Sequence, residues 1–139
     1  MKYISHSVEE TEQLAMNLAE KLNGNEVIAF FGGLGMGKTA FTRGICKGLD
    51  FGDGVQSPTF SLVNQYDAKY TVYHFDMYRI NTYDDLYSTG FFDYLDTGVL
   101  IIEWSENIEN ALPDDYIRIE ISQGESENQR IIDIEGIEL

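Results

Sequence analysis

Apolar and polar positions along this chain follow two different periods, and the change of period divides it into elements. Val8, Leu14, Leu18 and Leu22 fall near helical spacing behind Ser7 and Glu10, a capping-box pair. That spacing predicts a helix over residues 8–22, ended by Asn23-Gly24. "EVIAFF" (26–31) is an apolar run with no alternation, the mark of a strand buried on both faces. In "GKTAFTRGICKGL" (37–49), Ala40, Phe41, Ile45 and Leu49 share one helical face. After Pro58 the period becomes two. "TFSLVNQY" (59–66) and "YTVYHFDMY" (70–78) read as strands, joined as a hairpin through Asp67-Ala68. "NTYDDLYSTGFFDYL" (81–95) reads as short helices, with Asn81 or Thr82 as cap and Asp84 and Asp85 in the first turn. "GVLIIEW" (98–104) is a second buried strand. "YIRIEIS" (116–122) and "RIIDIEG" (130–136) alternate cleanly about a hairpin turn, "QGESENQ". The predicted order is strand, glycine loop, helix, then mostly strands. It implies an α/β sandwich with a mixed sheet, parallel near the loop and antiparallel toward the C-terminus.

Length and composition add bounds. The chain's 139 residues suit one domain, and a 43% hydrophobic content can bury a core without disulfides or a structural metal. Lys and Arg total 9 against 24 Asp and Glu, a formal charge of −15. Such a chain repels nucleic acid unless a partner supplies basic surface, so DNA is excluded as a partner and tRNA is expected only through a complex. Nine tyrosines have no interleaved basic patch, which argues against a stacking platform for single-stranded RNA. The one cysteine, Cys46, has no partner for an internal disulfide and is expected to be a small core residue. No apolar run reaches 18 residues and no basic-then-apolar leader opens the chain, so no membrane and a cytoplasmic location are expected.

The glycine loop carries the chemistry. Gly32-x-x-x-x-Gly37-Lys38-Thr39 fits the phosphate-binding pattern G-x-x-x-x-G-K-[ST] without a gap, and it follows a buried strand and opens a helix, as the pattern requires. Glycines reach backbone angles closed to other residues, so successive N–H groups from Gly32, Gly33, Leu34, Gly35, Met36 and Gly37 through to Ala40 can converge on an anion. The helix N-terminus adds to that site. Lys38 can reach the β- and γ-phosphates, and the Thr39 hydroxyl can ligate Mg²⁺. The domain is therefore predicted to be a single P-loop NTPase-like, three-layer α/β unit over residues 1–139.

Such a loop needs a carboxylate on the metal side, at the end of a neighbouring buried strand. Two positions qualify: Glu103 after Val99-Leu100-Ile101-Ile102, and Asp76 after Tyr73-His74-Phe75. Either could orient water. For a cation, Arg43 and Arg79 are the candidates, each lying within a motif segment; Arg43, one turn past Thr39, reads first as an ion-pairing helix arginine. His74 is balanced between a structural and a functional role. Trp104 is balanced between core and a cover over the nucleotide. Pro58 is read as stiffening its loop.

"GGLGMGKTAFTRG", "VQSPTFSLVNQY", "HFDMYR" and "IIEWSE" together resemble the signature blocks of the TsaE family (formerly YjeE), small bacterial P-loop ATPases required for tRNA threonylcarbamoyladenosine synthesis. The blocks stand in the family's order over roughly residues 7–135. One departure is visible: Gly33 stands where the family usually has Asp, while the G, K and T positions are kept. The resemblance implies binding of ATP and Mg²⁺, slow hydrolysis alone, and association with a TsaD–TsaB pair. By position it implies that Lys38 holds phosphate, that Thr39 and Glu103 ligate Mg²⁺, and that Asp76 acts near the metal and the attacking water. It makes the segment from Ser57 to Phe60, with Thr59, a switch-like loop. It puts Thr11 and Arg130 near the nucleotide.

Two other readings share the phosphate loop. A small-molecule or nucleoside kinase would carry an arginine-rich lid, yet after Glu103 only Arg118 and Arg130 occur, in segments that read as strands. A non-catalytic nucleotide-dependent interaction module would not need Lys38, Thr39, Asp76 and Glu103 all intact. The absence of an N-K-x-D stretch favours adenine over guanine.

Overall fold

The computed structural model describes residues 1–32, 37–52, 54–55 and 62–139. Seven strands form one sheet in the order β1-β7-β6-β2-β5-β4-β3. They are β1 (Lys2–Ser5), β2 (Val27–Phe31), β3 (Val63–Asp67), β4 (Thr71–Asp76), β5 (Val99–Glu103), β6 (Ile117–Gln123) and β7 (Arg130–Glu135). β2 runs parallel to both neighbours, β5 and β6, and β5 runs parallel to β4. The edges are antiparallel: β3 on β4, and β7 on β6 and β1. The mixed sheet is the one expected, with its parallel part around the strand that feeds the glycine loop. β2 and the first four residues of β5 are buried throughout, as strands covered on both faces must be.

Helices cover both faces, which makes three layers. On one face α1 (Val8–Ala19) and α2 (Lys38–Gly48) pack over Ile28, Phe30, Val99, Ile101 and Ile119. On the other, α3 (Tyr83–Ser88), α4 (Phe91–Tyr94) and a 3₁₀ segment (Ser105–Ala111) enclose Val27, Phe75, Leu100 and Ile102. Alternate residues of each strand serve opposite cores.

Local signals explain the element ends. The Ser7 hydroxyl accepts the Glu10 N–H at 3.1 Å, and the Glu10 carboxylate accepts the His6 N–H at 3.1 Å. Thr82, not Asn81, caps α3: its hydroxyl accepts the Asp85 N–H at 3.0 Å. The first helix stops at Ala19, short of the expected Leu22, because residues 20–22 tighten into a turn with i→i+3 bonds from Lys21 and Leu22. Leu22 still packs into the core from that turn. β1 and the 3₁₀ segment were not expected from the sequence. "KYIS" is too short to show a period, and its pairing partner β7 lies at the far end of the chain.

The crossing of α1 and α2 places the start of α2. A Cβ on Gly44 would meet the Glu12 carbonyl and stand 2.6 Å from the Ala15 Cβ; one on Gly48 would stand 2.6 Å from the Ala19 Cβ. Two glycines facing two alanines let the helix backbones approach closely. Glu12 then spans the crossing, with its carboxylate 2.7 Å from Lys47 Nζ and 3.8 Å from Arg43 Nη1. Among the described residues, no helix is long and apolar enough to cross a membrane.

Candidate functional site

The site lies at the C-terminal ends of β2, β5 and β4, where ligands sit in open α/β sheets. Gly37 begins α2 with φ +106°, a left-handed conformation that a side chain would strain, and caps the helix without a side-chain bond. The N–H groups of Lys38, Thr39 and Ala40 accordingly donate to no described residue. They point out of the helix at its positive end. Gly33, Leu34, Gly35 and Met36 lie outside the described residues, as do Ser57, Pro58, Thr59 and Phe60 of the expected switch-like loop.

Lys38 is the central charge. Its side chain is buried, at 3% exposure, and Nζ donates to the Gly32 carbonyl at 2.8 Å. Its other neighbour is the Trp104 ring, with Nζ 5.5 Å from the centroid. No described carboxylate pairs with it. A buried ammonium with one carbonyl and one ring for company is poorly compensated and favours an arriving anion. Trp104 reaches it because the residue after β5 is itself left-handed, with φ 59° and ψ 43°, rare for an aromatic. Trp104 also packs on Tyr78, ring centroids 5.0 Å apart, and against the core around Phe75 and Ile102, so one residue borders both the site and the core.

The two acids end adjacent parallel strands in register, Asp76 opposite Glu103. Strand alternation puts them on one face. Val72, His74 and Asp76 share a side of β4; Val99, Ile101 and Glu103 share the same side of β5, toward α1 and α2. Thr39 opens α2 on that face. Asp76 is nearly buried, and its Oδ1 accepts the Tyr78 N–H at 3.0 Å. Glu103 Oε2 lies 2.6 Å from His74 Nε2. The second oxygen of each carboxylate and the Thr39 hydroxyl bond to no described residue. Two carboxylates and one hydroxyl match the way Mg²⁺ is bound, by one or two carboxylates together with substrate phosphates and water.

Thr11, Gly37, Ala40 and Arg130 line one hollow of about 190 Å³ between α1, the start of α2 and the β6–β7 turn. Residues distant in sequence thus converge beside the glycine loop. The Thr11 and Ser5 hydroxyls are 2.7 Å apart, and Ser5 donates onward to the Ser7 carbonyl, so Thr11 is the donor of that pair. Arg130 Nη1 braces the turn through the Glu127 and Gln129 carbonyls. A larger hollow of about 590 Å³, between α3 and the 3₁₀ segment, holds none of the site residues expected from the sequence.

Arg43 sits in the ion pair with Glu12, away from the strand ends. Glu106 was missed: its Oε2 accepts the Gly32 N–H at 3.1 Å and ties the base of the glycine loop to the 3₁₀ segment. It closes the block "IIEWSE", but nothing in the sequence links it to Gly32.

The model of the family described as "Threonylcarbamoyl adenosine biosynthesis protein TsaE" matches residues 5–132. A Rickettsia conorii protein named tRNA threonylcarbamoyladenosine biosynthesis protein TsaE is 37% identical over 131 residues, 93% of this chain and 74% of its own length. The Bacillus subtilis protein of the same name is 33% identical over 133 residues, 94% of this chain and 83% of its own. The crystal structure of Bacillus subtilis YdiB superposes with a TM-score of 0.77 at 30% identity, covering 95% of this chain and 82% of that one. With its glycine loop, its paired strand-end acids and these matches, the chain belongs to the TsaE family.

Proposed function

We propose that this protein binds and slowly hydrolyses ATP with Mg²⁺, as an accessory to tRNA threonylcarbamoyladenosine modification alongside a TsaD–TsaB type complex. The observation that carries the reading is the buried Lys38 ammonium, held among the described residues only by the Gly32 carbonyl at 2.8 Å and the Trp104 ring, at a helix start with no side-chain cap, next to neighbouring strands that end in two acids. Lys38 leaves the carbonyl for phosphate oxygens, and the N–H groups at the start of α2 bind the same anion. Thr39 and Glu103 would hold Mg²⁺, which when bound neutralises charge on the phosphate oxygens. Asp76, whose second oxygen bonds to no described residue, orients the attacking water. The water oxygen bonds to the γ-phosphorus as the bond to the ADP oxygen breaks, and the water's proton leaves toward Asp76 or the phosphate. The hollow bordered by Thr11 and Arg130 receives the nucleoside side of the ligand. Arg79, exposed three residues past the end of β4 and in no ion pair among the described residues, is the one arginine near the acids, which fits slow turnover and stimulation by a partner. With a charge of −15, contact with tRNA would run through the complex.

Phosphate release from ATP tests the reading. Expected is slow, Mg²⁺-dependent release, altered by a TsaD–TsaB pair. Transfer of the γ-phosphate to an added nucleoside or sugar would overturn it.

A further inference from the structure

We infer that His74 is a positioning residue that holds the Glu103 carboxylate in the orientation a metal–nucleotide complex requires. The inference rests on reading Glu103 as a metal ligand. His74 is fully buried, and its only described hydrogen bond is from Nε2 to Glu103 Oε2, at 2.6 Å. Nδ1 is buried and has no partner among the described residues. His74 stands opposite Ile101 in the β4–β5 register, two residues before the Asp76–Glu103 pair and on the same face. It therefore reaches diagonally to the end of the neighbouring strand.

Burial of an imidazole among aliphatic and aromatic side chains is costly, and Val72 and Phe75 show what this strand otherwise buries. A histidine kept here must return something through its one bond. The proton placement follows from the geometry. A proton on Nδ1 alone would be buried without an acceptor and would turn the Nε2 lone pair on the carboxylate. The Nε2–H tautomer instead donates to Oε2 and leaves Nδ1 as a bare acceptor. With Oε2 held, Oε1 is the oxygen presented to the site. Hydrogen-bonded supports of this kind orient ligating carboxylates, and their loss costs about 10- to 100-fold in metal affinity.

The test is the Mg²⁺ concentration needed for half-maximal binding of a non-hydrolysable ATP analogue, read by calorimetry in wild type, Glu103→Gln, His74→Gln and His74→Asn. A glutamine amide nitrogen can stand where Nε2 stands; an asparagine cannot reach. His74→Asn should raise that concentration about 10- to 100-fold, with His74→Gln close to wild type and Mg²⁺-free affinity unchanged in both. Equal values for all three His74 forms, or equal loss in both variants, overturn the role of His74. Unchanged Mg²⁺ dependence in Glu103→Gln overturns the metal-site reading itself. Nitrogen NMR of the wild type decides independently of whether the variants fold: a protonated Nε2 with bare Nδ1 supports the inference, and protonated Nδ1 with bare Nε2 refutes it.

Discussion

Asp76 and Glu103 are register partners at the ends of two parallel strands, yet their carboxylates are held differently. Asp76 is fixed by a backbone N–H two residues on, and Glu103 by a buried imidazole. Different holds imply separable roles. Asp76→Asn should lower the rate of phosphate release by about 100- to 10,000-fold, the usual contribution of a positioned base, while nucleotide affinity stays within several-fold. Steady-state kinetics beside equilibrium binding checks this. A variant that loses affinity and rate together would show Asp76 to be a binding group instead.

Lys38 is expected to trade stability for binding. Among the described residues its buried ammonium is compensated only by the Gly32 carbonyl and the Trp104 face. Lys38→Met removes a charge-assisted bond to phosphate worth roughly 1.5–3 kcal/mol, or about 10- to 100-fold in affinity. The ligand-free protein should be as stable as wild type or more so, because a burial cost disappears and the half-exposed Gly32 carbonyl can turn to water. Thermal melts with and without ATP separate the two effects. A destabilised, still nucleotide-binding variant would contradict the assignment.

The α1–α2 crossing has no room at Gly44. Any side chain there meets Ala15 Cβ and the Glu12 carbonyl, which is backbone and cannot swing away. Gly44→Val should therefore cost at least about 1–3 kcal/mol, the usual penalty of overpacking. Because α2 begins at Lys38, the shift should also weaken nucleotide binding. Urea unfolding measures the first effect and calorimetry the second.

Burial pushes the Cys46 thiol up from 9.0 to about 12. An acid whose pKa is raised on folding keeps its proton in the native state while the unfolded chain loses it. Its contribution is therefore fully present below pH 9 and is lost as pH rises from 9 toward 12. The loss is about 1.4 kcal/mol per pH unit inside that window. The pH dependence of unfolding free energy in wild type should exceed that of Cys46→Ala by this slope. Matching slopes would mean that the thiol ionises with equal ease in both states.

Much of the fold was readable because its signals are local. The unalternating apolar run at Val27–Phe31 can only be a strand covered on both faces, and the capping pair of Ser7 and Glu10 starts α1 where expected. The start of α2 at Lys38 was equally legible, since the glycine-rich spacing before it calls for a helix to follow. β1 was not legible, because four residues show no period and depend on β7 for every pairing. Glu106 was missed for a similar reason: its partner, Gly32, lies 74 residues away.

The sequence by itself determined which residue types stand where: their order and short spacings give a glycine-rich pattern of the phosphate-loop kind and two strand-end acids. Only the tertiary structure decided which groups meet. Strand order brought Asp76 beside Glu103, and parity along β4 and β5 turned both acids and His74 to the face of α2. The turn after β5 brought Trp104 to Lys38, and the β6–β7 hairpin brought Arg130 beside Thr11. These are contacts between residues far apart in the chain. They are set by sheet register and helix crossing, which no local window of sequence contains.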